Sequence, residues 1–251
     1  MDKNYYKEYY HLERNHWWFK VRNQIIIERL KKMVGENPNL NILNVGVATG
    51  HTSELLSDFG KVTSVEYEKD CCKFLREELK MDVINGSILE LPFDDDTFDI
   101  VCAFDVIEHI DDDALGVSEM KRVCKNEGIL YISVPAFQFL WSKHDVVNHH
   151  YRRYTLPQVK RLFNPQHGEL IYNSYFNSIL FFPIALFRVI STLFANKNEQ
   201  SEEADSDFKV MGGNGIIGSM LELIFKFEKF LLRFLKFPLG VSILFAQRNK
   251  S

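Results

Sequence analysis

The sequence predicts an α/β fold, an open and mostly parallel sheet with helices on both faces. Three observations predict it. Short apolar runs alternate with helical segments from residue 40 to residue 135. The first run, "LNILNV" (40–45), enters a glycine turn, "GVATG" (46–50), that opens a helix. Two more runs, "ELIYNSYF" (169–176) and "VSILFAQ" (241–247), add strands beyond the alternation. Strands joined by helices imply right-handed crossovers and a parallel sheet covered on both sides.

The elements follow in order. Residues 5–33 read as helical, with Phe19, Ile26, Leu30 and Met33 on an apolar face, and "GENPN" ends them. After the first strand, "HTSELLSDFG" is a helix closed by Gly60, and "KVTSVE" (61–66) is the second strand. "KDCCKFLREELK" is a helix with Phe74, Leu75 and Leu79 on one side. "DVING" (82–86) and "FDIVCAF" (98–104) are the third and fourth strands; a helix runs from about Asp111 to Cys124, and "ILYISV" (129–134) is the fifth strand. Residues 136–154 read as a long loop. Thr155, Gln158 and Pro157 then mark a helix start with a capping box. Between the sixth and seventh strands lie an apolar helix, the acidic stretch "NKNEQSEEADSD" (196–207), the glycine cluster "GGNG" (212–215) and a second helix from Ile216. The expected organisation is a helical cap (1–39), a core (40–176 with 240–251) and a helical insertion (177–239).

Composition excludes several classes. The 251 residues are 46% hydrophobic and 25% charged, as in a soluble globular protein. A net charge of −4 supplies no global field to recruit nucleic acid. Cys71, Cys72, Cys102 and Cys124 have no metal or disulfide spacing and read as reduced thiols, which fits a cytosolic address. The N-terminal residues lack the apolar core of a signal peptide. The run 178–195 falls short of the ~20 clean residues a membrane span needs, and Pro183 and Arg188 interrupt it.

The strand ends carry the candidate chemistry. In an open parallel sheet, ligands bind at the carboxyl ends of the strands, near the switch point. Gly46 and Gly50 let the backbone turn sharply and approach a ligand, and amides after Gly50 offer donors to an anion. The loop matches neither G-x-G-x-x-G nor a phosphate loop ending in Gly-Lys-Ser/Thr. The second strand ends in Glu66, a carboxylate able to accept both hydroxyls of a ribose, with Tyr67 beside it to pack on the sugar. Ser87 and Ile88 follow the third strand, where they can meet an adenine edge and face. Asp105 and His109 follow the fourth and stand over the same pocket.

With these residues the sequence resembles the class I S-adenosylmethionine-dependent methyltransferases, in particular the methyltransferase type 11 group. The matching stretches are "NILNVGVATG", "VTSVEYEKD", "INGSILELPFDDDTFDIVCAFDVIEHIDDD" and "MKRVCKNEGILYISVPA", about residues 40–135. The likeness extends more narrowly to "NHWWFKVRNQII" and "FLWSKHDVVNHHYRRYT". It implies a Rossmann-like sheet of seven strands with the last antiparallel, and S-adenosyl-L-methionine as cofactor. It also implies Asn44, Val45, Gly46 and Gly50 near the methionine part, Glu66 and Tyr67 at the ribose, Ser87 and Ile88 at the adenine, and the backbone near Phe104 and Asp105 facing the sulfonium. Trp17, Trp18 and Phe19 would close over the cofactor, with Arg22 reaching its carboxylate.

Three positions depart from the pattern. Asn44 stands where an acid helps hold the cofactor ammonium, Ala48 where glycine is frequent, and Ser87 where an aspartate accepts from the adenine amine. Ala48 is tolerable if its φ is negative. Methyl transfer is an in-line displacement, and a hydroxyl acceptor is helped by a base near neutrality. "SKHDVVNHHYRRYT" (142–155) is the expected source, with His144 as base and Asp145 orienting it. His109, His149, His150 and Tyr154 are further acceptor-site candidates, and Arg152 and Arg153 are candidate clamps for a phosphate or carboxylate. A metal set of His144, Asp145 and His149 or His150 is conceivable, but no metal is assigned.

The expected activity is methyl transfer to oxygen of a small or lipid-linked acceptor, such as a saccharide or a carboxylate- or phosphate-bearing metabolite. Two rivals stand beside it: a non-catalytic cofactor-binding module docking through the insertion, and an aminopropyl transferase on the same fold. Leu221, Ile224, Phe225, Leu231, Leu232 and Leu235 of the second insertion helix are expected to be buried, with Lys226, Lys229, Arg233 and Lys236 as a basic flank. Such a helix roofs a pocket, forms a dimer face, or lies on the inner face of a membrane.

Overall fold

The computed structural model describes residues 3–35, 39–164, 168–194 and 215–250. Its sheet has seven strands: β1 (Leu40–Val45), β2 (Gly60–Glu66), β3 (Ile84–Asn85), β4 (Phe98–Phe104), β5 (Cys124–Pro135), β6 (Gly168–Phe176) and β7 (Ser242–Asn249). Their spatial order is β3-β2-β1-β4-β5-β7-β6. The first five are mutually parallel, and β7 runs antiparallel to both β5 and β6. The order reverses at β1, which puts the β1 and β4 carboxyl ends at the switch point.

The helices are α1 (Lys3–Asn15), α2 (Trp17–Val34), α3 (His51–Leu56), α4 (Lys69–Glu77), α5 (Asp113–Val123), α6 (Lys143–Val147), α7 (Leu156–Leu162), α8 (Phe181–Phe194) and, after the segment 195–214, α9 (Ile216–Leu231). Strand side chains alternate between two cores, as period-2 geometry requires. Ile42, Ile100, Cys102, Tyr131 and Leu244 face Val21, Ile26 and Leu30 of α2 and Phe225 of α9. Leu43, Val101, Leu130, Ile132 and Phe245 face Val117 and Met120 of α5 and Val159 of α7. Val21 and Leu30 are fully buried, each worth about 1.5–3 kcal/mol in transfer terms. The Tyr131 hydroxyl donates to the Ile26 carbonyl at 2.9 Å, so α2 is fixed by polarity as well as packing.

Several expected boundaries move for physical reasons. The N-terminal helix breaks at His16, whose extended backbone and ring nitrogen cap the Trp18 amide and start α2 anew. β3 shrinks to two residues. β5 begins at Cys124 instead of 129, because the register between β4 and β5 shifts between Phe98 and Ile100 and absorbs the "KNEG" turn, with Glu127 at φ 65°. The expected loop 136–154 contains α6, started by a capping box between Ser142 and Asp145. The expected box of Thr155 and Gln158 is present at α7.

In the insertion, α9 packs on α2. Phe225 and Leu232 are buried as expected, but Leu235 is 53% exposed. Lys229 and Arg233 pair with Glu28, and Lys226 with Glu222, so the basic flank is largely neutralised within the chain. The acidic stretch 196–207 and residues 212–214 lie outside the described residues. None of the described helices is long and apolar enough to cross a membrane. The four cysteines are buried and unbridged.

Candidate active site

The turn after β1 is shaped by two left-handed glycines, Gly46 at φ 69° and Gly50 at φ 82°. A Cβ at Gly46 would stand 2.5 Å from a Val106 methyl. Ala48 lies at φ 47°, against the negative φ the sequence reading required. That conformation costs roughly 1–2 kcal/mol for a residue with a Cβ. It accompanies a specific contact: the Ala48 amide donates to Glu66 Oε2 at 3.0 Å, and the Glu68 amide donates to Oε1 at 3.0 Å. Glu66 is 8% exposed, and burial raises its carboxyl above the usual range despite those amides. Glu66 thus ties the β1 loop to the end of β2 through backbone amides on both sides.

β4 supplies the third strand end. Asp105 at φ 56° accepts from Arg22 of α2 at 2.5 Å and from the Ser133 hydroxyl at 3.0 Å. Arg22 therefore reaches the site but is engaged with Asp105, not held open for a cofactor carboxylate. Phe104 is buried, edge-on to Tyr131 with ring centroids 5.3 Å apart. Strained backbone at Ala48 and Asp105 concentrates where three strand ends converge.

Other expected cofactor contacts sit differently. Asn44 is 1% exposed, and its amide donates to Thr52 at 3.0 Å and Ser53 at 2.9 Å. It anchors α3 because those hydroxyls are the nearest acceptors to a buried amide. Val45 is packed in the core. The Ser87 hydroxyl accepts from the Leu89 amide at 3.1 Å, Ile88 is buried, and Tyr67 is largely exposed. Trp17 and Phe19 are buried in packing, Trp17 edge-on to Phe225. The element over the glycine loop is instead α1. Glu13 accepts from the Thr49 hydroxyl, Arg14 reaches the Thr49 carbonyl at 3.4 Å, and Tyr6 stacks on Phe74. The sequence reading missed these because polar α1 residues carry no motif.

Residues 142–155 form a braced layer built around Asp145. Asp145 is fully buried and engages His150 Nδ1 at 2.8 Å and the Arg153 guanidinium at 2.8 and 3.0 Å. Burial pushes its carboxyl up, but His150 and Arg153 outweigh this and hold it well below the usual range. Adjacent helical residues point in different directions, so His144 meets Asn148, four residues on. Arg153, 4% exposed, is committed to Asp145 and the Ala136 carbonyl, which removes it as an anion clamp. Arg152 bridges Asp111 and Asp113. Tyr154 is buried, donating to Asp113 at 2.8 Å. His149 is exposed at φ 56°. His109 packs edge-on to His150 with centroids 4.5 Å apart. Beside it, Glu108 is fully buried, and burial and then the Asp105 charge drive its carboxyl well above the usual range. Sequence reading passed Glu108 over, although "IEH" at the end of β4 was in view.

A sheet of this order, with a glycine loop after β1 and a buried carboxylate at the end of β2, has the Rossmann-like architecture of the class I methyltransferases. Residues 43–132 match the family model described as "Methyltransferase domain". The chain is 29% identical over 126 residues to the "Probable S-adenosylmethionine-dependent methyltransferase" of Mycolicibacterium smegmatis, covering 49% of this chain and 48% of that protein. The chain spans about half the length of the mycobacterial relatives it matches. It is 23% identical over 166 residues to the demethylmenaquinone methyltransferase of Staphylococcus aureus, 60% of this chain and 66% of that protein. The structure of phosphoethanolamine N-methyltransferase 2 of Haemonchus contortus, in complex with S-adenosyl-L-methionine, shares the fold at TM-score 0.56 and 19% identity, covering 92% of this chain and 52% of that one.

Proposed function

We propose that the protein transfers the methyl group of S-adenosylmethionine to an oxygen of a small or lipid-linked acceptor, a saccharide or a carboxylate- or phosphate-bearing metabolite. The observation that carries the reading is the convergence of Gly46, Glu66 and Asp105 from three adjacent strands on one edge of the sheet. In the transfer, the S–CH3 bond breaks with its electron pair passing to sulfur. The acceptor oxygen forms the new bond to carbon, and its proton passes to a base. We assign that proton to His144, whose ring lies 6.1 Å from that of His150. The protein's task is alignment, since the sulfonium supplies the leaving group. Calorimetry is expected to show binding of both S-adenosylmethionine and S-adenosylhomocysteine. Incubation with cell extract and isotope-labelled methyl donor is expected to yield labelled product and S-adenosylhomocysteine. Binding without turnover across such extracts would favour a non-catalytic module.

A lipid-linked acceptor is supported by apolar surface on the insertion. Phe182 and Leu186 of α8, and Ile216, Leu223 and Phe227 of α9 with Phe234 beyond it, are each more than half exposed. Large exposed apolar groups gathered on two helices mark an interaction surface. The protein is expected to float with phospholipid vesicles, and Phe227→Glu with Phe234→Glu to abolish it; no flotation of the unaltered protein would remove membrane contact from the reading.

A further inference from the structure

Glu108, His109 and His150 each bring one donor atom to within 4.8 Å of the other two. Glu108 is fully buried, and among the described residues neither of its carboxylate oxygens has a hydrogen-bond partner. A buried carboxylate is costly as an anion unless a cation meets it. Both imidazoles are held from behind. His150 Nδ1 is fixed at 2.8 Å by Asp145, which is anchored in turn by Arg153. The His109 ring hydrogen-bonds to the Asn148 backbone. A ring nitrogen engaged in this way leaves the other nitrogen as a lone-pair donor, the arrangement found behind metal-ligating histidines. The two segments are locked together by the Tyr151 amide, which donates to the Glu108 carbonyl at 2.7 Å.

We propose that Glu108, His109 and His150 form a binding site for a first-row divalent transition ion such as Zn2+, Mn2+ or Co2+. Two imidazoles and one carboxylate suit these ions better than Mg2+ or Ca2+, which prefer all-oxygen shells. Three protein ligands leave coordination positions open for an acceptor oxygen, whose proton is lost more easily once it is bound to the ion. This ligand set differs from the one weighed in the sequence: Asp145 stands behind His150 as its orienting carboxylate. Use of the ion in catalysis rests on the methyl-transfer reading, but ion binding does not, so binding is the quantity to measure. The full chain, stripped with chelator and dialysed, is titrated with Co2+ and Zn2+ by calorimetry and absorption. One ion per chain is expected, with visible d–d bands for Co2+. His109→Ala, which alters a solvent-facing ring, and Glu108→Gln, which keeps shape and removes charge, are each expected to weaken binding more than about 10-fold. His11→Ala, on the exposed surface of α1, should bind like the unaltered chain. Absence of saturable binding, or affinity in His109→Ala and Glu108→Gln equal to that of the unaltered chain, overturns the proposal.

Discussion

Glu66→Ala is expected to weaken binding of both S-adenosylmethionine and S-adenosylhomocysteine by about 100-fold. The carboxylate offers two acceptors to the ribose hydroxyls, and hydrogen bonds to a charged group are worth about 1.5–3 kcal/mol each, so losing both removes roughly 3 kcal/mol or more, a factor of ~100. The substitution also releases the Ala48 and Glu68 amides, loosening the strained turn that faces the ligand. Glu66→Gln keeps one carbonyl oxygen and should lose about 10-fold, as expected for a single charge-assisted bond. Isothermal titration of both ligands measures this, with circular dichroism to establish that the fold is retained. Unaltered affinity in Glu66→Ala would remove this residue from the ribose site.

The second large effect is on stability. Asp145→Ala leaves the guanidinium of Arg153, 4% exposed, without its bidentate partner. Removing one member of a buried ion pair costs about 3–5 kcal/mol. At roughly 2–4 °C per kcal/mol for a chain of this size, the midpoint should fall by about 6–20 °C. The capping box that starts α6 is lost as well. Thermal unfolding followed by circular dichroism reads the change. A shift within about 2 °C would mean that water replaces Asp145 around Arg153 and that the layer over β5 is not braced by this pair.

The alternation of strands and helices was legible because each strand is bounded by strong punctuation. β4 opens after "FDDDT" and ends at Phe104 as read, and the Thr155–Gln158 capping box fixed the start of α7. Glu66 and the two glycines of the β1 turn were legible because strand ends and left-handed turns leave a residue-type signal. The bracing of residues 142–155 was not. Asp145 is adjacent to His144 in sequence, but a helical turn aims it at Arg153, eight residues on. Local spacing cannot reveal which long-range partner wins. The same holds for α1: Glu13 finds Thr49 across 36 residues, and nothing near either residue announces it. Asn44 misled for a related reason, since its place beside the glycine turn suggests a ligand contact while its amide is drawn to the α3 hydroxyls.

The antiparallel seventh strand has a consequence for the order of assembly. β6 joins the sheet through β7, which lies between it and β5, and its Tyr175 also bridges to Phe237. During synthesis, β1 to β5 can therefore pair with one another while β6, already made, lacks the strand that joins it to them. It must wait until the long insertion and then Ser242–Asn249 have been translated. For that interval the β5 edge is an open template for another chain, and chaperone capture at that stage would protect it.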